Sequence, residues 1–223
     1  MSIITGKSLI AALVVLSFAA GSQAEEKVLY AESFEEAIPG QTPKQWNKIW
    51  GNSGSDSFIV TNEKSAAGDN ALLLTRGDNA DQWGFGFSFP HVEKGMVEVS
   101  FDLLLEGPGN QAWMSFEIRN NTPGRLIFGS TSVQDFKIRD SRRRQVFQLS
   151  ENAWYKLKFT IPASRADGEV SKFEISDIKT GNSIVLESPM KEYPNKLGLL
   201  CINTIPGKNN FKAFIDDVKV TVK

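Results

Sequence analysis

The chain has 223 residues and is nearly neutral, with 25 Lys and Arg against 26 Asp and Glu and a formal net charge of -1. This balance leaves no excess positive charge for nucleic acid or an anionic membrane, so we expect no nucleic-acid partner. Hydrophobic residues at 41% and charged residues at 23% are typical of a globular domain, and the single Cys and single His exclude an internal disulfide framework and sites built on paired imidazoles.

The first 24 residues have the pattern of a secretory signal peptide. Lys7 provides a positive flank, residues 9–20 form an apolar run, and Ser22-Gln23-Ala24 places small residues where a signal peptidase cleaves. The apolar run is shorter than the roughly 20 residues that a transmembrane helix needs. We therefore expect cleavage after Ala24, a secreted or periplasmic mature chain, and no transmembrane segment after cleavage.

The chain after residue 24 begins with apolar runs separated by turn-forming residues. Strands are predicted at residues 28–34, 58–61 and 71–75. Residues 43–50 are the one candidate for a short helix. Trp46 and Trp50 stand among polar and Gly residues, so both are candidates for exposed rings that stack on a sugar. Trp46 also has a structural interpretation, because it belongs to a motif discussed below.

An aromatic strand is predicted at residues 83–89. One side of it carries Trp83, Phe85, Phe87 and Phe89, and the other side carries Gly84, Gly86 and Ser88. We expect the aromatic side to fill the core, because large rings grouped on one face are usually buried. The bare side permits close approach of a sugar or of another sheet. The alternative places the aromatic rings outward as a stacking platform.

The middle of the chain alternates apolar and polar residues with a period of two. Further strands are predicted at residues 97–105, 113–119, 125–128, 133–139, 145–149, 154–161 and 170–175. Trp113 is the third candidate for exposed stacking. Arg139 and Arg143 belong to the one basic cluster, residues 139–144, and planar guanidinium groups suit carboxylated or sulfated sugars. A solvated turn is the alternative interpretation.

The last predicted strands are residues 197–202 and 213–222. In a regular strand Asp216 shares a face with Val218, and an unpartnered carboxylate on that face is costly. Either a bulge shifts the register at Asp216 and Asp217, or a partner satisfies the acid. The partners to consider are an Arg, backbone N–H groups and a hard cation such as Ca²⁺.

These strands predict an all-β fold, namely a two-sheet antiparallel sandwich or jelly roll. No Pro-rich, Ser-rich or charged linker interrupts the chain after the signal peptide. We therefore expect a single domain at residues 25–223.

The two ends of this domain carry recognisable motifs. The opening has Ser33-Phe34-Glu35-Glu36 followed by Gly40, Pro43 and Trp46, and the closing strand has Ile215-Asp216-Asp217-Val218. With residues 65–74 and 152–157, they resemble the concanavalin A-like lectin and glucanase jelly rolls, or laminin G-like domains, of secreted bacterial proteins. The galactose-binding-like jelly rolls of carbohydrate-binding modules end in a similar way.

The resemblance implies a structural Ca²⁺ held by acids from the first and last strands, which usually neighbour each other in jelly rolls. Glu35, Asp216 and Asp217 are then the candidate ligands, and loop carbonyls complete the shell. The alternative is that these acids are hydrogen-bonded structural residues.

The sequence lacks the catalytic patterns of this fold. Neither the Glu-x-Asp-x-x-Glu strand of its glycosidases nor the Gln-x-His strand of its lyases is present. We expect a secreted or periplasmic, non-catalytic domain that binds polysaccharide or another glycan, or that serves as an accessory module. The alternatives are a polysaccharide hydrolase or lyase on the same fold, and an envelope structural or interaction protein.

Overall fold

The computed structural model describes residues 25–51, 57–75, 83–107, 113–120, 127–139, 144–194, 196–204 and 211–223, so the predicted signal peptide lies outside it. Its strands are β1 (Lys27–Glu32), β2 (Asn47–Gly51), β3 (Ser57–Thr61), β4 (Ala71–Thr75), β5 (Trp83–Val92), β6 (Met96–Glu106), β7 (Trp113–Asn120), β8 (Ile127–Gln134), β9 (Lys137–Arg139), β10 (Gln145–Gln148), β11 (Trp154–Pro162), β12 (Val170–Asp177), β13 (Ser183–Pro189), β14 (Leu197–Thr204) and β15 (Lys212–Val222). Among the residues that the structure describes, one 3-10 turn occurs, at Arg165–Asp167. Within the described ranges, no helix has the length and apolar character needed to cross a membrane.

The strands form two antiparallel sheets packed as a sandwich, which confirms the predicted fold class. Sheet A has the order β13-β12-β11-β6-β15-β4-β3, and β1 also pairs with β15. Sheet B has the order β10-β9-β8-β7-β14-β5-β2. The pairing of β1 with β15 brings the first and last strands together, as expected for a jelly roll.

The inward sides of both sheets share one hydrophobic core. Phe101 of sheet A and Phe116 of sheet B are in contact, with ring centroids 4.9 Å apart. The four aromatic residues of β5 are at most 4% exposed, so the prediction that they fill the core is confirmed. Burial of this much aromatic and aliphatic surface is the main force that holds the two sheets together.

The predicted helix at residues 43–50 is wrong. Residues 44–45 form a turn, and residues 47–51 form the edge strand β2 of sheet B. Pairing with β5 satisfies the backbone groups along one side of this segment, which outweighs a weak local preference for helix. The other edge strand missing from the prediction is β13, whose mostly exposed residues give little periodic signal.

β15 contains the bulge that the sequence offered as one way to accommodate Asp216. The register with β6 shifts between Asp216 and Lys219, and Asp217 has a φ of 47°. Because of the shift, Ile215 before the bulge and Val218 after it both belong to the core, whereas Asp216 does not. Along its other edge, β15 pairs first with β4 and then, beyond the bulge, with β1.

Candidate functional site

The outer surface of sheet B carries a row of register partners from six neighbouring strands. In order across the sheet they are Trp50, Gly84, Asn203, Ser115, Ser132 and Arg139. Adjacent strands lie about 4.8 Å apart, so this cross-strand row is about 24 Å long. The row consists mostly of short side chains, with an aromatic ring at one end and a guanidinium group at the other; Gly84 and Asn203 are buried and the other four members are half-buried.

Asn203 links the side chains in the first half of the row. Its Oδ1 accepts hydrogen bonds from Trp50 Nε1 at 3.1 Å and from Cys201 Sγ at 3.2 Å, and its Nδ2 donates to Ser115 Oγ at 3.1 Å. Asn203 is only 2% exposed. A buried amide with both ends bonded is fixed in position, and it fixes the partners that it holds.

Trp50 lies over the backbone of Gly84. A Cβ added at Gly84 would come within 2.3 Å of Trp50 Nε1 and 2.7 Å of Asn203 Oδ1, so only glycine leaves room for the indole here. Trp50 is half-buried, at the edge strand of the sheet. The indole is therefore held by a hydrogen bond and by close packing while part of it remains accessible.

Glu117 and Arg119 follow Ser115 along β7, on the same side of the sheet. Arg119 Nε donates to Glu117 Oε2 at 2.7 Å, and Arg119 Nη2 contacts the same oxygen. Ser115 Oγ lies 3.4 Å from Glu117 Oε1. The charge-assisted pair holds both planar groups beside the row.

The structure places the predicted ligand-binding residues in different environments. Trp46 is 1% exposed and donates from Nε1 to Tyr30 Oη at 3.0 Å, so it is a core residue and not an exposed stacking surface. Trp50 and Arg139 occupy the two ends of the cross-strand row. Trp113 begins β7, but its side chain lies outside the described residues, as does Arg143 altogether.

The predicted metal-binding acids bind backbone N–H groups. Asp216 is fully buried; its Oδ2 accepts from Ala66 N at 2.8 Å and Ala67 N at 3.2 Å, and its Oδ1 accepts from Asp217 N at 2.8 Å. Burial raises the pKa of Asp216 above its ordinary value, and the three N–H groups oppose that rise. Backbone N–H groups are thus the partners of Asp216, which was one of the options left open by the sequence.

Glu35 binds the other end of the same β3–β4 loop. Its carboxylate accepts hydrogen bonds from Asp69 N at 3.1 Å and from Asn70 N at 3.0 Å. Glu35 and Asp216 together form what we call the carboxylate clasp. Among the described residues, no group of three or more His, Cys, Asp or Glu is arranged to hold a metal ion.

The donor set of the clasp does not fit a Ca²⁺ shared by the predicted ligands, because the carboxylate oxygens of Glu35 and Asp216 already face N–H hydrogens. A hard cation needs six to eight converging oxygens. Calcium binding therefore stays a prediction from the family resemblance, while the observed contacts give these two acids a structural role.

A separate groove of about 630 Å³ runs along residues 31–45. Its acidic residues include Glu32, which accepts from Phe34 N at 2.8 Å, and Glu35 of the clasp. Both carboxylates accept hydrogen bonds from backbone N–H groups. Because no comparable side-chain network converges on this groove among the described residues, we place the candidate site at the cross-strand row.

Asn203, Ser115 and Glu117 were not predicted from the sequence. The sequence does predict that residues 115, 117 and 119 share the polar side of a strand, because they alternate with the core residues Met114, Phe116 and Ile118. The contact between Asn203 and Ser115 could not be predicted, because Asn203 follows the apolar run of β14 and lies beside Ser115 only as a result of the strand order. A site of this kind can be identified only when the order of the strands in the sheet is known.

Comparison with protein-family models finds no match, and comparison with curated protein sequences finds none either. Solved structures do match. The carbohydrate esterase vb_24B_21 of Shiga toxin-encoding bacteriophage phi24B has a TM-score of 0.61 and 14% identity, over 89% of this chain and 100% of that one. The alginate lyase of Aplysia kurodai has a TM-score of 0.58 and 9% identity (88% and 100% covered), and lectin II of Ulex europaeus has a TM-score of 0.57 and 8% identity (86% and 97% covered). At these identities the likeness shows the β-sandwich fold.

Proposed function

We propose that this protein is a carbohydrate-binding β-sandwich module and that its site is the cross-strand row of sheet B. The observation that carries the proposal is the immobilised Trp50 at the end of that row. Sugars are recognised by stacking of their C–H faces on aromatic rings, together with planar amide, carboxylate and guanidinium groups that bind hydroxyls. Glu117 and Arg119 supply planar groups beside the row, and the buried amide of Asn203 holds Trp50 in place.

Preorganisation of the site also supports binding. The hydrogen bonds that hold Trp50, Asn203 and Ser115 are already formed, so a ligand does not have to immobilise these side chains when it binds. The lectin, the alginate lyase and the carbohydrate esterase show that the same fold is used by proteins named for carbohydrate binding or carbohydrate chemistry.

We propose binding without catalysis. Among the described strand residues of this outer surface, Glu117 is the one carboxylate, whereas glycosidases act with a pair of carboxylates.

The pattern of residues 1–24 further leads us to propose export and cleavage after Ala24, which N-terminal sequencing of the secreted or periplasmic protein tests.

Affinity electrophoresis on a panel of soluble polysaccharides tests the binding proposal. We expect at least one polysaccharide to retard the protein and Trp50→Ala to weaken that binding about tenfold, which corresponds to about 1.4 kcal/mol. Trp154→Ala is the matched control, because Trp154 is similarly half-buried but lies on sheet A. Hydrolase and lyase assays on the same samples test for the enzymatic alternative. If no polysaccharide binds, the proposal is wrong.

A further inference from the structure

Strand β13 forms one edge of sheet A, and no described strand pairs with its free side. Its register with β12 runs without a shift over its whole length. Just beyond the two ends of this ladder, Asp177 N donates to Asn182 O and Met190 N donates to Glu169 O, both at 2.9 Å. Hydrogen-bonded and non-hydrogen-bonded pairs alternate along antiparallel strands, so these two bonds determine which residues of β13 bond to β12.

The even-numbered residues of β13 bond to β12, and the odd-numbered residues direct their backbone groups to the open edge. The residues directed outward are Ser183, Val185, Glu187 and Pro189, of which Pro189 has no N–H to donate. Their side chains are exposed, and that of Val185 is 50% exposed. The edge therefore presents evenly spaced N–H and C=O groups on both sides of Val185.

The other edges among the described strands are covered or irregular. At the opposite edge of sheet A, the backbone of β3 is bonded by a preceding loop, in which Gly40 N donates to Val60 O and Gln41 O accepts from Val60 N, both at 2.8 Å. The edge strands β2 and β10 of sheet B each contain a register shift, as does β1. Bulges, covering loops and edge lysines are the usual means of preventing pairing with another chain. β13 has a regular register and contains neither Lys nor Arg, so it is the described edge best suited to accept another strand.

We propose that β13 pairs with β13 of a second copy of this chain, antiparallel, around a two-fold axis that passes between the two Val185 residues. The outward-directed positions are symmetric about Val185, so each free N–H of one strand meets a free C=O of the other. About six backbone hydrogen bonds then join the two strands. A two-fold contact uses the same surface on both subunits, which this symmetric edge provides. The two copies of sheet A become one continuous sheet.

The side chains of β13 are also complementary in this register. Val185 lies opposite its own copy, and Ile184 lies opposite Leu186 of the second copy. Both Ile184 and Leu186 pack against the core, so the pairing extends the apolar side of sheet A across the axis. Ser183 lies opposite Glu187 of the second copy, so no like charges are opposed. An axis at Glu187 would place two carboxylates opposite each other, which disfavours that register.

Sedimentation equilibrium of the purified protein, without any glycan, tests the proposed dimer. We expect reversible dimers with a Kd of about 100 μM or lower. Val185→Lys should raise that Kd at least about tenfold, because it places two ammonium groups opposite each other at the axis. Val28→Lys is the matched control, because Val28 of β1 is 52% exposed and lies outside the proposed contact. Its Kd should stay within about twofold of wild type.

Two substitutions of Ser183 test the register. Ser183→Lys places an ammonium group opposite Glu187 of the second copy, once on each side of the axis, and should lower the Kd about fivefold. Ser183→Glu opposes two carboxylates at the same positions and should raise the Kd by a similar factor. Both effects should weaken at high salt. Effects of the same sign and size in the two variants would contradict the proposed pairing.

Three further outcomes overturn the inference. A protein that stays monomeric up to about 500 μM does not pair with its own copy through β13. Dimers of equal strength in Val185→Lys and wild type show association through another surface. Equal weakening by Val28→Lys and Val185→Lys shows general charge repulsion. Circular dichroism checks that each variant folds, and Ser183→Glu takes the place of Val185→Lys if the latter does not fold.

Discussion

The geometry of the candidate site depends on one buried amide. Asn203 is 2% exposed, and its Oδ1 and Nδ2 both have side-chain partners on other strands of sheet B, namely Trp50 on β2 and Ser115 on β7. A buried polar group is stabilising only while its hydrogen bonds are made, so this position favours a residue with both a donor and an acceptor. Asn203 therefore determines where the indole of Trp50 lies.

We expect Asn203→Ala to weaken both folding and binding. The substitution removes the acceptor of Trp50 Nε1 and the donor to Ser115, which should lower the free energy of unfolding by about 1–2 kcal/mol. It should also reduce glycan affinity, because Trp50 becomes free to move. Urea denaturation and calorimetric titration measure the two effects. Asn47→Ala, at an exposed Asn of β2, is the control and should change stability by less than about 0.5 kcal/mol. Wild-type stability and affinity in Asn203→Ala would contradict this account.

Asp102 should make stability depend on pH. Asp102 is 3% exposed, and burial raises the pKa of its carboxyl group while Lys156 opposes the rise. Above about pH 4 the unfolded chain has lost this proton, whereas the folded protein still binds it until the raised pKa is passed. The contribution of protonated Asp102 to the free energy of unfolding is therefore present at low pH and is lost as pH rises from about 4 through the raised pKa.

Asp102→Asn tests this dependence because it keeps the shape of the side chain and removes its titration. Urea unfolding between about pH 4 and pH 7 should show a smaller decline in the free energy of unfolding for the variant than for the wild type. Lys156→Gln should show a larger decline, because the opposing positive charge is gone. Identical pH profiles for all three proteins would show that Asp102 does not titrate in this range.

At the scale of elements, the β3–β4 loop is held from both ends by the carboxylate clasp. Asp216 accepts the N–H groups of Ala66 and Ala67, and Glu35 accepts those of Asp69 and Asn70. Charged acceptors bond backbone N–H groups strongly. The clasp thus connects this loop to β15 and to the segment that follows β1.

Gly68→Ala should open one side of the clasp. Gly68 has a φ of +68°, and an added Cβ would lie 2.5 Å from Glu35 Oε1. We expect a loss of about 2–3 kcal/mol in the free energy of unfolding, from backbone strain and weakened Glu35 hydrogen bonds. Gly181→Ala is a matched control, because Gly181 has a φ of +74° but open space around it, and it should cost only about 1 kcal/mol. Equal losses in the two variants would show that the clasp is unaffected.

Removal of divalent cations tests the calcium hypothesis directly. A cation that binds only the folded state raises the melting temperature, and EDTA reverses that gain. Because the oxygens of Glu35 and Asp216 are occupied by N–H groups, we expect the melting temperature to be the same in EDTA and in excess Ca²⁺. A melting temperature that falls in EDTA and recovers with Ca²⁺ would show that a calcium site exists.

The sequence predicts elements well where one face is buried. The period of two placed β6 and β11, and the grouping of aromatic residues identified the core side of β5. The edge strands β2 and β13 were missed because partial exposure weakens their pattern. The cross-strand row was missed for a different reason, since its members are far apart in the chain and only strand order brings them together.

At the scale of the whole molecule, the two outer surfaces differ in composition. Sheet A presents lysines paired with acids on neighbouring strands, whereas sheet B presents the cross-strand row of mostly short polar side chains. Both sheets contribute to one core, so neither surface is formed independently of the other. A change that separates the sheets should therefore also disrupt the row.

This shared core predicts that residues 25–223 unfold as a single unit. Trp46 and Trp83 lie in the core between the sheets, so their fluorescence reports sheet packing, while far-ultraviolet circular dichroism reports the strands. We expect the two signals to give the same urea midpoint and the calorimetric and van't Hoff enthalpies to agree. Trp154→Phe is a useful control, because Trp154 packs against a separate small cluster on sheet A and its removal should leave the fluorescence midpoint nearly unchanged. A fluorescence transition that precedes the loss of strand signal would instead mean that the sheets separate before they unfold.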